Sequence, residues 1–260
     1  MYSPCSFFFS QGQALITAAK YFSNDRLVDN ASGEVVKKHR HRIRLALFGQ
    51  LMASYEYMLK DFLARIIDIV DIFDQKLVKQ SWISIDTERI LSQRVTQTTL
   101  GSLLIHPTLG WQDPDQVNLR YKSVLGNKVI LLSEIPTLNR LWVLRHSVAH
   151  NAGFVTSPDA GRIGSATISE KVINTDDDFM RETFEFLKPI AERLATKCGN
   201  SALQQWLKST KDLDANYERD RLIYERLKLV GTYLPSRPKS LPEFTEQNYL
   251  DDRANIISSP

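Results

Sequence analysis

The sequence predicts an all-α fold, on three observations. Apolar residues recur at three- and four-residue intervals through most of the chain, the period of a helix with one buried side. Glycine and proline gather in a few connectors and rarely interrupt those periodic runs. Only the stretch between Thr156 and Val172 reads as strand, and it is long enough for a single short pair. The expected architecture is a helical bundle with a long N-terminal helix pair, a small hairpin-like excursion after a central helix, and a C-terminal helical extension. The boundaries are read as an N-terminal segment (1–34), a helical domain (35–197), a helical extension (198–234) and a flexible tail (235–260).

Taken in order, residues 13–22 suit a short helix, and 23–33 form a turn-rich connector. From position 35 to about 79 the apolar series Leu45, Phe48, Leu51, Met52, Tyr55, Leu59, Phe62, Leu63, Ile66, Val70 and Phe73 predicts one long helix or two nearly collinear ones. A further helix is expected over 81–104. Pro107, Gly110, Pro114 and Gly126 then mark a long loop or small helices. Leu138, Leu141, Leu144 and Val148 give the central helix a buried side, and Asn151, Ala152 and Gly153 stop it. A strong amphipathic helix covers 179–197, and a continuous helix covers 201 to about 230. Pro235, Pro238 and Pro242 introduce the tail.

Composition bounds the function. With 260 residues the chain can bury a sizeable core, and 43% hydrophobic with 24% charged residues is ordinary for a globular protein. A net charge of +3 is too mild to imply a nucleic-acid partner by itself. Cys5 and Cys198 are too few for a disulfide framework or a cysteine zinc site. Neither a signal peptide nor an apolar run of membrane-spanning length is evident, so a cytoplasmic protein without a membrane partner is expected. The Walker-type phosphate loop, the dinucleotide glycine fingerprint, His-Glu-x-x-His and Gly-x-Ser-x-Gly do not occur.

The chemistry concentrates in Leu-Trp-Val-Leu-Arg-His-Ser-Val-Ala-His-Asn-Ala-Gly-Phe, residues 141–154. Five steps separate Arg145 from His150, about 140° of rotation and roughly 7.5 Å of rise on a helix. A long arginine side chain bridges that offset, so guanidinium and imidazole can converge on one phosphate-sized group. His146 and His150 share a face as an i, i+4 pair. The densest basic cluster, Lys37, Lys38, Arg40, Arg42 and Arg44, suits phosphate tracking along RNA or a merely solvated helix face. Glu56 falls on or beside the apolar stripe and needs a partner there, Arg145 or Lys60.

The run Arg145-His-Ser-Val-Ala-His150, followed by Asn151, resembles the Arg-x4-6-His signature of HEPN domains. The segment Ala53-Ser-Tyr-Glu56-Tyr-Met-Leu-Lys60-Asp is similar to an early helix of RNase-type HEPN families, in which an acidic residue faces the active centre. The similarity spans position 35 to about 195. It implies an all-helical module, commonly a homodimer with a composite cleft, that cleaves RNA without a metal in defence or toxin–antitoxin systems. An antitoxin or a neighbouring defence protein would then be a partner, and no cofactor is implied. Arg145, His150 and His146 would be catalytic, with Glu56 and Asn151 in support.

Other readings compete. Arg145 paired with Glu56 would make a catalytically inactive scaffold that binds RNA, a nucleotide or a protein. His146 and His150 as a zinc pair lack third and fourth ligands. Asp68, Asp71 and Asp74 read as solvated acids rather than a metal site. The acidic run Asp176, Asp177 and Asp178 reads as a helix N-terminus with Thr175 as its cap.

Overall fold

A computed structural model describes residues 3–23, 31–83, 91, 99–105, 110–233 and 242–257. The fold is all-α, and among the described residues its only sheet is one two-stranded ladder. The spine is α2 (Ala31–Ile69), 39 residues and hence about 58 Å long. From Leu45 onward its side chains at three- and four-residue steps are buried: Phe48, Leu51, Met52, Tyr55, Met58, Leu59, Phe62, Leu63 and Ile66. The expected long helix is present. It ends at Ile69, and a separate short α3 (Asp74–Val78) follows.

The first helix is longer than the periodicity suggests. α1 (Pro4–Ser23) includes the aromatic run, because Phe8 and Phe9 pack across two other helices. Phe8 meets Tyr55 of α2 with ring centroids 5.8 Å apart, and it meets Phe184 at 5.9 Å. Of the helix expected over 81–104, most lies outside the described residues, as does His106. Its end is α4 (Leu100–Ile105). Gly101 is pressed so closely on α2 that a Cβ would lie 2.0 Å from the Ala64 carbonyl oxygen, and its N–H donates to Asp68 at 2.6 Å. Asp68 therefore anchors a helix N-terminus.

α5 (Pro114–Leu125) is capped by Asp113, whose side chain accepts from the amides of Asp115 and Gln116. Two buried brackets then set the entry to α6 (Ile135–Asn151). Asn118 donates to the Ile130 carbonyl and accepts from the amides of Val129 and Ile130. Arg193 grips Glu134 with two bonds of 2.8 Å and also donates to the Val129 carbonyl. A planar guanidinium on a carboxylate is among the most direction-specific pairs available. α6 then runs antiparallel to α2: Trp142 lies against Tyr55, Val148 faces Gly49, and Gly153 touches Leu45.

After α6, β1 (Phe154–Val155) pairs antiparallel with β2 (Lys171–Val172): the expected strand pair is present, but its first strand lies just before the 156–172 stretch. Between them lie α7 (Ser157–Arg162) and a three-ten turn, Ala166–Ile168. Leu45, Val155, Ala160 and Ile173 form a small apolar cluster beneath this hairpin. α8 (Asp177–Arg193) continues through a π-helical stretch, Leu194–Gly199, into α9 (Asn200–Ser209).

The C-terminal third departs from expectation in two ways. The helix expected from 201 to 230 is broken before α10 (Tyr217–Val230), because Asn216 turns its side chain to accept from the Arg219 amide and starts a new helix. The stretch read as a flexible tail is a packed helix over α11 (Glu246–Ile257), with Tyr249 fully buried and Arg253 at 5% exposure. Arg253 donates to the carbonyls of Thr210 and Leu213, and Asp220 accepts from Arg219 and from the Tyr249 hydroxyl at 2.6 Å. Proline near position 242 interrupted the periodic signal, and this clasp restores order by contacts distant in sequence. The main core runs without a break from Cys5 to Ile256, so neither terminal region is an appendage. Among the described residues no helix is long and apolar enough to cross a membrane.

Candidate functional site

The C-terminal half of α6 carries the candidate site. Leu138, Leu141, Trp142 and Ser147 are buried, with Leu144 and Val148 half-buried against α2 and the hairpin. The buried side is thus rotated slightly toward Trp142 relative to the expected one. Arg145 is half-buried, and His146 and His150 are exposed. The two imidazoles lie ring to ring, with centroids 4.6 Å apart and planes inclined at 44°. Among the described residues neither histidine nor Arg145 makes a hydrogen bond or an ion pair, so no hydrogen bond joins Arg145 to His150.

The end of this helix is built with care. The Ser147 carbonyl accepts from the amides of Ala152 and of Gly153, the latter at 2.9 Å. That closure puts Ala152 at φ +51° and Gly153 at φ +86°. Glycine is required at 153 for a second reason: a Cβ there would stand 2.7 Å from Leu45 Cδ1. Asn151, the last helical residue, is half-buried.

Beneath the turn that carries Ser147 lies Asp159, which sequence reading did not single out. Its carboxylate, 5% exposed, accepts from the Thr156 hydroxyl at 2.9 Å and lies 3.5 Å from the Ser147 hydroxyl. Arg162 approaches its other oxygen at 3.5 Å. The signal was available: Thr156 and Asp159 stand three residues apart, the spacing of a reciprocal helix cap. The Thr156 oxygen accepts from the Asp159 amide in return.

Glu56 is elsewhere. It pairs with Lys60 at 2.5 Å, accepts weakly from Gln112 at 3.4 Å, and lines a cavity of about 320 Å³ with Tyr57, Asp61 and Ser102. Among the described residues nothing connects it to Arg145. Of the two partners the sequence offered, the one a single helical turn away takes it.

The basic cluster divides in two. Lys38 and Arg42 are exposed, whereas Lys37, Arg40 and Arg44 are half-buried. Arg44 pairs with Asp177 at the start of α8, at 3.1 Å. Because Leu45 touches Gly153, Arg42 and Lys38 lie only about 5 to 10 Å further along α2 from the end of α6.

The acidic run before α8 is accounted for by local roles. Asp176, not Thr175, is the cap, accepting from the Phe179 amide at 2.8 Å, while Asp178 pairs with Arg181. Thr175 is fully buried, and its hydroxyl has no hydrogen-bond partner. It cannot reach the helix amides because Asp176 already occupies the extended capping position. Among the described residues no three histidine, cysteine, aspartate or glutamate side chains group so as to hold a metal ion.

Chemically, the end of α6 offers two adjacent imidazoles and, among the described residues, one guanidinium not committed to a protein carboxylate. The pair of histidines is exposed, and Arg145 is half-buried beside His146 in sequence. No family model, curated protein or solved structure matches this chain.

Proposed function

We propose that this protein is a metal-independent endoribonuclease of HEPN type, acting at the end of α6. The observation that carries the reading is the exposed His146–His150 pair, 4.6 Å between centroids, beside an Arg145 that no acid among the described residues claims. A structural arginine in an inactive scaffold would be expected to hold the Glu56 carboxylate, and that carboxylate belongs to Lys60.

In the proposed reaction one imidazole takes the proton from a ribose 2′-hydroxyl, and the 2′-oxygen forms a bond to phosphorus. The bond from phosphorus to the 5′-oxygen breaks, and a second imidazole returns a proton to that leaving oxygen. Positioned proton transfer of this kind contributes about 10²- to 10⁴-fold. Arg145 holds the phosphate and stabilises the charge that develops on its oxygens. His150 is one proton carrier; the other is His146 or the His150 of a second copy across a twofold axis. Lys38 and Arg42 follow the RNA backbone away from the cut. A defence or toxin role, with an antitoxin or neighbouring protein as regulator, follows from the same reading.

The test is incubation of the full chain with a mixed RNA pool in EDTA, followed by analysis of the ends. The expected products carry 2′,3′-cyclic phosphate and 5′-hydroxyl ends, and Arg145→Ala and His150→Ala abolish cleavage without moving the melting temperature. Cleavage that requires a divalent metal, or that leaves 3′-hydroxyl ends, overturns the reading.

A further inference from the structure

A second concave region lies at the opposite end of α2. It is a cleft of about 830 Å³ between the last turns of α2, the length of α10 and the segment 242–245 that leads into α11. That volume is in the range of small-molecule sites, about 300–1,000 Å³. Leu45 marks the α6 end and Ile69 the cleft, so about 36 Å of helix separates the two.

Ile69, Leu229, Val230 and Phe244 form the apolar part of the wall, and charged and hydroxyl side chains form the rest. The charged groups are unevenly committed. Asp68 accepts from the Gly101 amide, Glu225 accepts from the Tyr217 hydroxyl, and Arg65 pairs with Asp61. Arg221, Arg226 and Glu243 also line the cleft, all three exposed, and among the described residues none of them makes a hydrogen bond or an ion pair, so the two guanidiniums outnumber the one uncommitted carboxylate. Two forked donors without acceptors at a partly apolar cleft suit a ligand that carries the acceptor itself.

From this arrangement we infer that the cleft binds a small amphipathic anion, with a carboxylate or phosphate head on Arg221 and Arg226 and an apolar body against Ile69, Leu229, Val230 and Phe244. The inference is independent of any chemistry at α6. Both heads share the geometry a guanidinium recognises, and the apolar body supplies affinity through burial.

The experiment titrates the full chain with octanoate, octyl phosphate and uncharged 1-octanol, by calorimetry. Saturable one-to-one binding of at least one anion is expected, with 1-octanol at least tenfold weaker. Preference for octanoate or for octyl phosphate identifies the head. Arg221→Gln/Arg226→Gln together should weaken the anion at least tenfold with the melting temperature unchanged, since neither side chain has a native partner to lose. Leu229→Gln should weaken it through the wall, and His150→Ala should bind as the unaltered chain does. The inference is overturned by the absence of saturable binding, by octanol binding as tightly as the anions, by a double variant that binds normally, or by binding lost in His150→Ala.

Discussion

The end of α6 and the clasp around α11 are both rich in charge, and they treat it in opposite ways. In the clasp the buried and half-buried charged groups have partners. Asp220 receives Arg219 and Tyr249, Arg253 reaches two backbone carbonyls, and Asp252 receives the Tyr224 hydroxyl at 2.7 Å and Lys228 at 3.0 Å. At the end of α6, Arg145, His146 and His150 have no polar partner among the described residues. A buried charge must be paired or it destabilises the fold, whereas an exposed one left unpaired costs little and stays available. Polar side chains thus hold the molecule together in one region and stay unpaired among the described residues in the other.

The comparison predicts that the two regions fail differently. The largest effect is expected on catalysis: His146→Ala/His150→Ala should lower RNA cleavage by at least about 10²-fold. The same variant should leave stability within about 0.5 kcal/mol, as surface substitutions generally do. A large loss of stability in a denaturant titration would show that the pair is structural after all.

Next in size is Arg253→Ala, which removes the buried guanidinium that holds the carbonyls of Thr210 and Leu213. It should cost about 3 kcal/mol, comparable to breaking a buried pair, and lower the melting temperature by roughly 6–12 °C. RNA cleavage per folded molecule should be unaffected. Asp220 adds a pH signature: its hydrogen bond from Arg219 holds its carboxyl below the ordinary value, assisted by Tyr249. Its contribution is therefore present above the ordinary carboxylate range and is lost as pH falls through the native value. Asp220→Asn should flatten the acid limb of a stability–pH curve.

Gly153→Ala sits between the two behaviours. An alanine at φ +86°, with its Cβ 2.7 Å from Leu45, should cost about 2 kcal/mol. Because Gly153 closes the turn that follows His150, cleavage should fall too, unlike in the clasp variant. Equal kinetics in this variant and the parent chain would separate the turn from the site.

The alkaline limb reports on the core. Burial pushes the Cys198 thiol up to about 12 and that of Cys5 higher still, and burial likewise raises the Tyr233 hydroxyl to about 12. These groups stay protonated in the native state, so their contribution is full below their ordinary values near 9 and 10 and declines as pH rises toward 12. Native protein at pH 8 should resist iodoacetamide at both cysteines, and rapid labelling would contradict their burial. The smallest effect is expected from Asp177→Asn. It breaks the partly exposed pair with Arg44 and should change stability by less than about 1 kcal/mol in a thermal melt.

Much of the fold was legible in the sequence because it depends on local rules. The three- and four-residue apolar series located α2, the Ala152–Gly153 stop located the end of α6, and the short excursion located the strand pair. The helices that were mis-sized had signals that packing or capping overrode. α1 extends through Phe8 and Phe9 because both rest on Phe184, and the run after 201 breaks because Asn216 caps a new helix.

The side-by-side histidines are a consequence of sequence alone: once 135–151 is helical, positions 146 and 150 must share a face. Which charge meets which was decided only by the tertiary structure. Arg44 settled on Asp177 and Asp159 beneath Ser147, and the last helix was held by Arg253. Periodicity encodes which side of a helix is buried, but not which helix buries it. A carboxylate's partner therefore depends on helix crossings between residues far apart in the chain.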